Sequence, residues 1–183
     1  MFQKNILREK YFNLRRKKYY EIDKKFFSPL ISFIKSNFKQ NNFKLALYYP
    51  TSFETNVLKL LENKYMINKN ILLPVIEKEN IMSFYPWEKN RVLIVNKFGI
   101  LEPIKTKFKI PSIVLVPILA FDRNKYRLGY GKGFYDRYLN KYLKKSSNIL
   151  TVGVAFSFQK YHKLPIDKND VKLDYILTEK GMY

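Results

Sequence analysis

Four short apolar runs constrain the fold of this chain more than any other feature. Leu45-Ala-Leu-Tyr-Tyr49, Asn70-Ile-Leu-Leu-Pro74, Ile113-Val-Leu-Val116 and Thr151-Val-Gly-Val-Ala155 contain no charged residue. A strand with one wet face alternates apolar and polar residues, whereas a strand covered on both faces need not. Runs this short read as buried strands, and Asp174-Tyr-Ile-Leu177 adds another. Between them the period becomes helical. Residues 4–20 repeat Ile6, Leu7, Tyr11 and Leu14 at helical spacing. Residues 21–37 carry Phe26, Phe27, Leu30 and Ile34, with Pro29 marking a kink or a helix start near Ser28. Glu54–Glu62 and Phe134–Leu143 read as further helices. Ile81–Tyr85 and Arg91–Val95 read as a small hairpin or as edge strands. Apolar strands alternating with helices predict an α/β fold. The expected form is a three-layer sandwich with a mostly parallel central sheet flanked by helices on both faces.

At 183 residues the chain is expected to form a single domain, 1–183. It has no cysteine, which excludes disulfides, thiolate metal sites and cysteine catalysis. No window approaches the ~20 apolar residues of a membrane span. The first ten residues lack a continuous apolar stretch. The reading is of a soluble cytoplasmic protein without a membrane partner. The net charge of +20 makes a field that attracts anions. Lysine dominates the basic set and is spread end to end, among many Asn, Ile, Phe and Tyr residues. An A/T-biased genome produces this pattern, so specific nucleic-acid binding is not expected. His162 is the only histidine, and no Ser/His/Asp or metal-histidine spacing accompanies it.

Three of the six glycines fall within Gly129-Tyr-Gly131-Lys-Gly133. Glycine reaches φ > 0 without a Cβ clash, so alternating glycines let backbone N–H groups converge. Converging N–H groups, a lysine among them and a helix start behind them make an anion site. The spacing is neither that of the Walker A loop nor that of the dinucleotide-binding Gly-x-Gly-x-x-Gly. Arg123, Arg127 and Lys132 bracket the glycines, so a phosphate-bearing ligand is expected at residues 127–137. The loop follows the carboxyl end of the Ile113–Val116 strand, where open α/β sheets bind ligands.

A nucleotide phosphate usually brings Mg²⁺, which takes oxygen ligands. Asp136 lies three residues after Gly133, where it equally suits a helix N-terminus. Asp167, Asp170 and Asp174 form a second acidic group, and the spacing does not choose among them. Lys4 and Arg8 share one face of the first helix. Tyr48, Tyr49 and Glu54 follow a strand, with core packing and helix-dipole placement as their plainest roles.

Val116-Pro-Ile-Leu-Ala-Phe-Asp-Arg123 and Arg127-Leu-Gly-Tyr-Gly-Lys-Gly-Phe-Tyr-Asp-Arg-Tyr138 resemble the central motif of the 5-formyltetrahydrofolate cyclo-ligases, also called methenyltetrahydrofolate synthetases. Lys4-Asn-Ile-Leu-Arg8, Tyr48-Tyr49 with Glu54, Phe98-Gly-Ile-Leu-Glu-Pro103 and Asn169-Asp-Val-Lys-Leu-Asp174 resemble other segments of that family, in the same order. The resemblance implies ATP-dependent cyclisation of 5-formyltetrahydrofolate to 5,10-methenyltetrahydrofolate, with release of ADP and phosphate. The implied route is phosphorylation of the formyl oxygen followed by attack of N10. It also implies two small-molecule substrates, Mg²⁺ and a monomer.

Carried over by position, the resemblance puts ATP against Lys4, Arg8, Arg127, Leu128, Gly129, Tyr130, Gly131, Lys132, Gly133, Phe134 and Tyr135. Lys132 and Arg127 are the implied catalytic pair, with Lys132 at the transferring phosphate. Tyr49, Glu54, Tyr130, Gly131, Lys132, Gly133 and Phe134 would face the folate, and Phe98 is a candidate stacking partner. Asp136 and Asp170 would bind Mg²⁺. Three positions depart from the family pattern. Ile118 stands where a glycine is usual, Phe134 where a tyrosine is usual, and Thr55-Asn56-Val57 where Val-Asp-Thr is usual.

Overall fold

The computed structural model describes residues 2–38, 43–67, 69–77, 81–143 and 149–183. Its helices are α1 (Phe2–Lys18), α2 (Ser28–Asn37) and α3 (Phe134–Leu143). Its strands are β1 (Lys44–Ala46), β2 (Asn70–Ile76), β3 (Met82–Pro86), β4 (Leu93–Val95), β5 (Leu101–Pro103), β6 (Ile113–Pro117), β7 (Ala120–Phe121), β8 (Arg127–Leu128), β9 (Leu150–Val154), β10 (Tyr175–Thr178) and β11 (Gly181–Met182).

The central sheet has seven strands in the order β11-β10-β9-β6-β1-β2-β3. Its five inner strands pair in parallel, and β3 and β11 close the edges antiparallel. Each run expected to be a buried strand supplies one of the five. Alternate residues face opposite sides, so one run serves two cores. Leu45, Leu47, Leu73, Leu115, Val152 and Leu177 pack with Leu30, Ile31 and Ile34 of α2. Ala46, Leu72, Val114, Val116 and Ile176 pack with Tyr138 and Leu139 of α3. The three expected layers are present. Phe27, Leu30 and Ile34 are wholly buried, and each such side chain contributes about 1.5–3 kcal/mol through removal from water.

Helix α1 lies in neither layer. Its Leu7 and Tyr11 pack on Leu119, Ala120, Leu128 and Leu164, residues of and around the β7–β8 hairpin that follows β6. Its inward stripe is Lys4, Leu7, Tyr11 and Arg15, and Ile6 is half exposed. The stripe expected from apolar residues alone is therefore rotated, because two of its positions hold cations.

Three other elements differ from expectation. The segment from Glu21 splits into a 3₁₀ turn, Lys24–Phe27, and α2. Asp23 caps the turn by accepting from the Lys25 N–H at 2.8 Å, and Pro29 occupies the first turn of α2. The helix expected over Glu54–Glu62 is a 3₁₀ turn over Val57–Glu62. Asn56 accepts from the Leu58 N–H and starts it late, leaving Glu54 in the preceding loop. Of the two readings for Ile81–Tyr85 and Arg91–Val95 the hairpin fails, while the edge strand holds for β3, which closes the central sheet. Instead β4 pairs with β5 because Asn96 accepts from the Phe98 and Ile100 N–H groups and Gly99 turns at φ 74.

Candidate active site

The glycine loop begins where β8 ends. Gly131 and Gly133 have φ of 93 and 67, a region costly for other L-residues. Gly129 does not need it, so two of the three glycines are conformationally required. Arg8 from α1 closes the loop by donating from Nε to the Gly129 carbonyl at 3.0 Å. Its guanidinium lies so close to Gly131 that an added Cβ would sit 3.0 Å from Arg8 Cζ. Helix α3 starts directly after Gly133, with its N-terminal N–H groups facing back over the loop. Lys132 is exposed. Among the described residues it has no carboxylate within ion-pair distance, and its Nζ lies 5.9 Å over the Phe98 ring. Phe98 in turn meets the Phe134 ring edge-on at 5.9 Å. The β4–β5 turn therefore brings Phe98 to the end of the glycine loop.

Arg127 and Asp136 flank the loop and bind each other. Arg127 Nη2 is 2.8 Å from Asp136 Oδ1, and Nη1 donates to the Val171 carbonyl at 3.2 Å. Asp136 also accepts from the Val171 N–H at 3.2 Å. Val171 follows Asp170, so the two expected metal ligands approach through one peptide unit. Asp170 accepts from Lys4 Nζ at 2.5 Å and from the Asp167 N–H at 2.7 Å. Asp167 accepts from Lys4 at 2.7 Å. Asp174 is committed elsewhere, to the Thr151 N–H and hydroxyl. Among the described residues no three His, Cys, Asp or Glu side chains cluster as metal ligands. Asp136 Oδ2 and Asp170 Oδ1 nevertheless have no hydrogen bond among those residues. Two hard oxygens beside the glycine loop fit Mg²⁺, which usually takes one or two carboxylates and completes its shell with water and phosphate.

Burial pulls the Lys4 pKa down, but the two aspartates outweigh it and leave it raised. The hydrogen bond and charge of Lys4 hold Asp167 below its ordinary value. Arg123 is exposed in the β7–β8 turn and takes no part in the loop. That turn depends on Asp122, which is buried and accepts from the N–H groups of Asn124, Tyr126 and Leu164.

Glu54 sits on the far side of Tyr130. It is 7% exposed and accepts from the Thr51 N–H at 2.9 Å, while its own N–H donates to the Thr51 carbonyl at 2.9 Å. Ser52 and Phe53 cross this turn at φ 48 and 64, left-handed values that non-glycine residues rarely adopt. Burial raises the Glu54 pKa, against the opposing effects of the Thr51 N–H, the Arg15 charge and the Tyr130 hydroxyl. The Tyr130 pKa is raised to about 12, by burial and then by Glu54. Burial followed by the Glu54 charge also raises Tyr48 and Tyr135. The Tyr135 hydroxyl is buried and unpaired among the described residues. Tyr48 donates to the Thr55 carbonyl, and Tyr49 is half-buried beside it. A cleft bordered by Tyr19, Pro50, Ser52, Phe53 and Asn56 opens at Glu54. Sequence reasoning missed Arg15, the cation behind Tyr130. The signal was its spacing: Lys4, Arg8, Tyr11 and Arg15 follow one helix face at intervals of four, three and four.

The usual glycine before Leu119 is Ile118 here. Its Cδ1 lies 2.4 Å from where a Cβ on Gly153 would stand, so the isoleucine fills space that glycine at 153 leaves open. Ile118 is not among the left-handed non-glycine residues, so the backbone here does not require glycine.

A profile of the 5-formyltetrahydrofolate cyclo-ligase family matches residues 4–179. The 5-formyltetrahydrofolate cyclo-ligase of Haemophilus influenzae is 34% identical over 73% of this chain and 74% of its own length. A probable 5-formyltetrahydrofolate cyclo-ligase of Schizosaccharomyces pombe is 35% identical over 65% of this chain and 66% of its own. The solution structure of Aquifex aeolicus 5,10-methenyltetrahydrofolate synthetase superposes with a TM-score of 0.73 at 34% identity, over 98% of this chain and 91% of that one. The Mycoplasma pneumoniae 5,10-methenyltetrahydrofolate synthetase superposes at 0.70 and 26% identity, over 96% and 98%.

Proposed function

Because this chain belongs to the 5-formyltetrahydrofolate cyclo-ligase family, we propose that it closes 5-formyltetrahydrofolate to 5,10-methenyltetrahydrofolate at the expense of ATP. Residues 1–183 are taken as one domain acting as a cytoplasmic monomer on two small molecules. Among the described residues no helix is long and apolar enough to cross a membrane.

The observation that carries the reading is the meeting of two half-sites at Tyr130. On one side stand the glycine loop, Arg8, Lys132 and the N-terminus of α3, all suited to phosphate. On the other stands Glu54, a buried acceptor for the ring N–H and amino donors of a pterin. A γ-phosphate on the loop and the N5-formyl group of a pterin anchored at Glu54 would meet near Lys132.

The chemistry follows from the weakness of a formamide oxygen as a leaving group. The formyl oxygen attacks the γ-phosphorus and ADP departs. The formyl carbon, now bearing a phosphate ester, is open to the N10 lone pair. Ring closure releases phosphate and the N10 proton. Little of this is covalent work for the protein, whose contribution is alignment and charge neutralisation. Lys132, free of any carboxylate partner among the described residues, supplies a mobile cation to the transferring group. Arg8 fixes the loop that holds the neighbouring phosphates. Arg127 acts from behind the loop by holding Asp136, a narrower role than direct phosphate contact. Asp136 and Asp170 would hold Mg²⁺, which supplies charge to the phosphate oxygens when bound. Phe98 and Phe134 offer apolar ring surface to the folate, and the missing hydroxyl at 134 removes one polar contact.

The test is production of the methenyl chromophore from 5-formyltetrahydrofolate by the purified protein. Product is expected only with ATP and Mg²⁺ together, with one ADP released per ring closed. Turnover without ATP, or no methenyl product with both present, overturns the proposal.

A further inference from the structure

Arg15 is the largest wholly buried side chain among the described residues, at 1% exposure. Its neighbours Arg16, Lys17 and Lys18 are exposed. Among the described residues no carboxylate lies within 4.0 Å of its guanidinium, and its Nε is buried without an acceptor. A buried cation without an ion partner is costly to keep. What it does instead is join three separate segments. Nη1 donates to the Ile118 carbonyl at 3.1 Å, and Nη2 donates to the Ser52 carbonyl at 2.8 Å. Nη2 also donates to the Tyr130 hydroxyl, and the guanidinium lies 5.5 Å from the Tyr130 ring centre.

Two of those acceptors belong to the opposite halves of the site. Ser52 is the first of the two left-handed residues in the turn that delivers Glu54. Tyr130 stands between two required features of the glycine loop, the Arg8-bound Gly129 carbonyl and left-handed Gly131. The Tyr130 hydroxyl also faces the Glu54 carboxylate. Accepting from Arg15 leaves that hydroxyl's own proton free to donate.

We propose that Arg15 is a positioning residue for folate: its buried fork ties the Ser52 turn to Tyr130, and so fixes the Glu54 carboxylate and the Tyr130 hydroxyl as one recognition unit. This rests on the reading that Glu54 receives the pterin. Arg15 touches neither substrate. Its removal frees Glu54 and Tyr130 to move, while Lys132, Arg8 and the α3 N-terminus keep their places. The loss therefore falls on folate rather than on ATP. The groups facing Glu54 are Arg15 from α1, Tyr130 from the loop, Tyr48 after β1, Tyr135 from α3 and Thr51 of its own turn. Arg15 is the one cation among them, so removing its charge leaves Glu54 harder to ionise.

The test compares Arg15→Lys, Arg15→Met and Tyr130→Phe with the parent enzyme, measuring the KM of each substrate and the pH dependence of kcat/KM for 5-formyltetrahydrofolate. Arg15→Lys keeps the charge but loses the fork. Its folate KM is expected to rise about tenfold, the scale of one charge-assisted hydrogen bond, with the ATP KM within about twofold. Arg15→Met is expected to add a shift of the acid limb to higher pH. Tyr130→Phe is expected to reproduce the selective loss for folate, which keeps the test decisive if Arg15→Met does not fold. Equal losses for both substrates, with the acid limb unmoved, would make Arg15 merely structural and overturn the proposal. An unchanged folate KM in Arg15→Lys and Tyr130→Phe would do the same. Glu54→Gln, run in parallel, separates the two failures. If it raises the folate KM and the other variants do not, only the Arg15 assignment falls. If it leaves the folate KM unchanged, the pterin reading falls and takes this proposal with it.

Discussion

The Arg127 guanidinium lies 2.8 Å from the Asp136 carboxylate, so the residues at the two ends of the glycine loop clamp it from behind. The Arg127 side chain is only 4% exposed. Asparagine at 136 keeps an oxygen to accept from Arg127 but removes the charge, which leaves a nearly buried cation without an ion partner among the described residues. Asp136→Asn is therefore expected to lower stability as well as turnover. The cost is about 1–2 kcal/mol, the difference between a charge-assisted hydrogen bond and a neutral one, read as a lower urea midpoint at unchanged slope. Adding Arg127→Met to Asp136→Asn is expected to recover much of the stability and none of the activity. A single variant as stable as the parent would show that the pair does not hold the loop.

Lys132 gives the contrasting case. It is exposed and has no ion partner among the described residues, so its loss is not expected to disturb folding. Lys132→Ala is expected to lower kcat by about 10²–10³, as when one preorganised group is removed from a developing charge. The melting temperature is expected to stay within a degree or so of the parent. Lys132→Arg is not a conservative rescue, since a planar fork replaces a compact ammonium. Unimpaired kcat in Lys132→Ala would remove the lysine from the chemistry.

How much of this was legible in the sequence depends on the physical signal each part leaves. The inner strands were plain because burial on both faces excludes charge from Leu45–Tyr49, Asn70–Pro74, Ile113–Val116 and Thr151–Ala155. The glycine loop was plain because Gly131 and Gly133 sit at positive φ. The Ser52–Phe53 turn was hidden because it reaches the same backbone region with residues that do not advertise it. Glu54 thus read as the start of a helix that Asn56 delays. Arg15 was hidden because an arginine in a basic helix reads as a solvated one. Only the acceptors from three distant segments, Ile118, Ser52 and Tyr130, turn it inward. The two-residue strands β7 and β8 leave too short a pattern to read.

The contact of Lys4 with Asp167 and Asp170 ties α1 to the loop before β10, and its pH dependence has two limbs. Asp167 is held below its ordinary value, so its contribution is present above about pH 4 and is lost as pH falls through the folded pKa. Lys4 is raised, so its contribution is complete below about pH 10 and is lost as pH rises through the folded pKa. The difference in melting temperature between the parent and Lys4→Met is expected to be constant between these limits and to shrink beyond each. The ATP KM of Lys4→Met is expected to rise, because Arg8 on the same helix closes the glycine loop. A melting difference that does not change from pH 7 to pH 11.5 would mean the tether is not ionic.

Glu54 is where stability and function pull apart. Burial raises its pKa, so the folded protein holds this proton more tightly than the unfolded chain does. Below about pH 4.5 both states are protonated and the group costs nothing. As pH rises toward the folded pKa, the unfolded chain ionises first and stability falls. Above the folded pKa the cost is constant. Glutamine keeps an oxygen to accept from the Thr51 N–H but never ionises. Glu54→Gln is therefore expected to melt above the parent at pH 7.5, with the gain disappearing near pH 4. The same change presents an N–H₂ group to pterin donors, so the folate KM is expected to rise about 10- to 100-fold, the range for a hydrogen bond to a charged group. The ATP KM is expected to hold. A variant that melts lower at pH 7.5 and binds folate normally would make Glu54 a closure for the Thr51 turn alone. A variant more stable and deficient only in folate binding would mean that this buried charge is kept for its ligand.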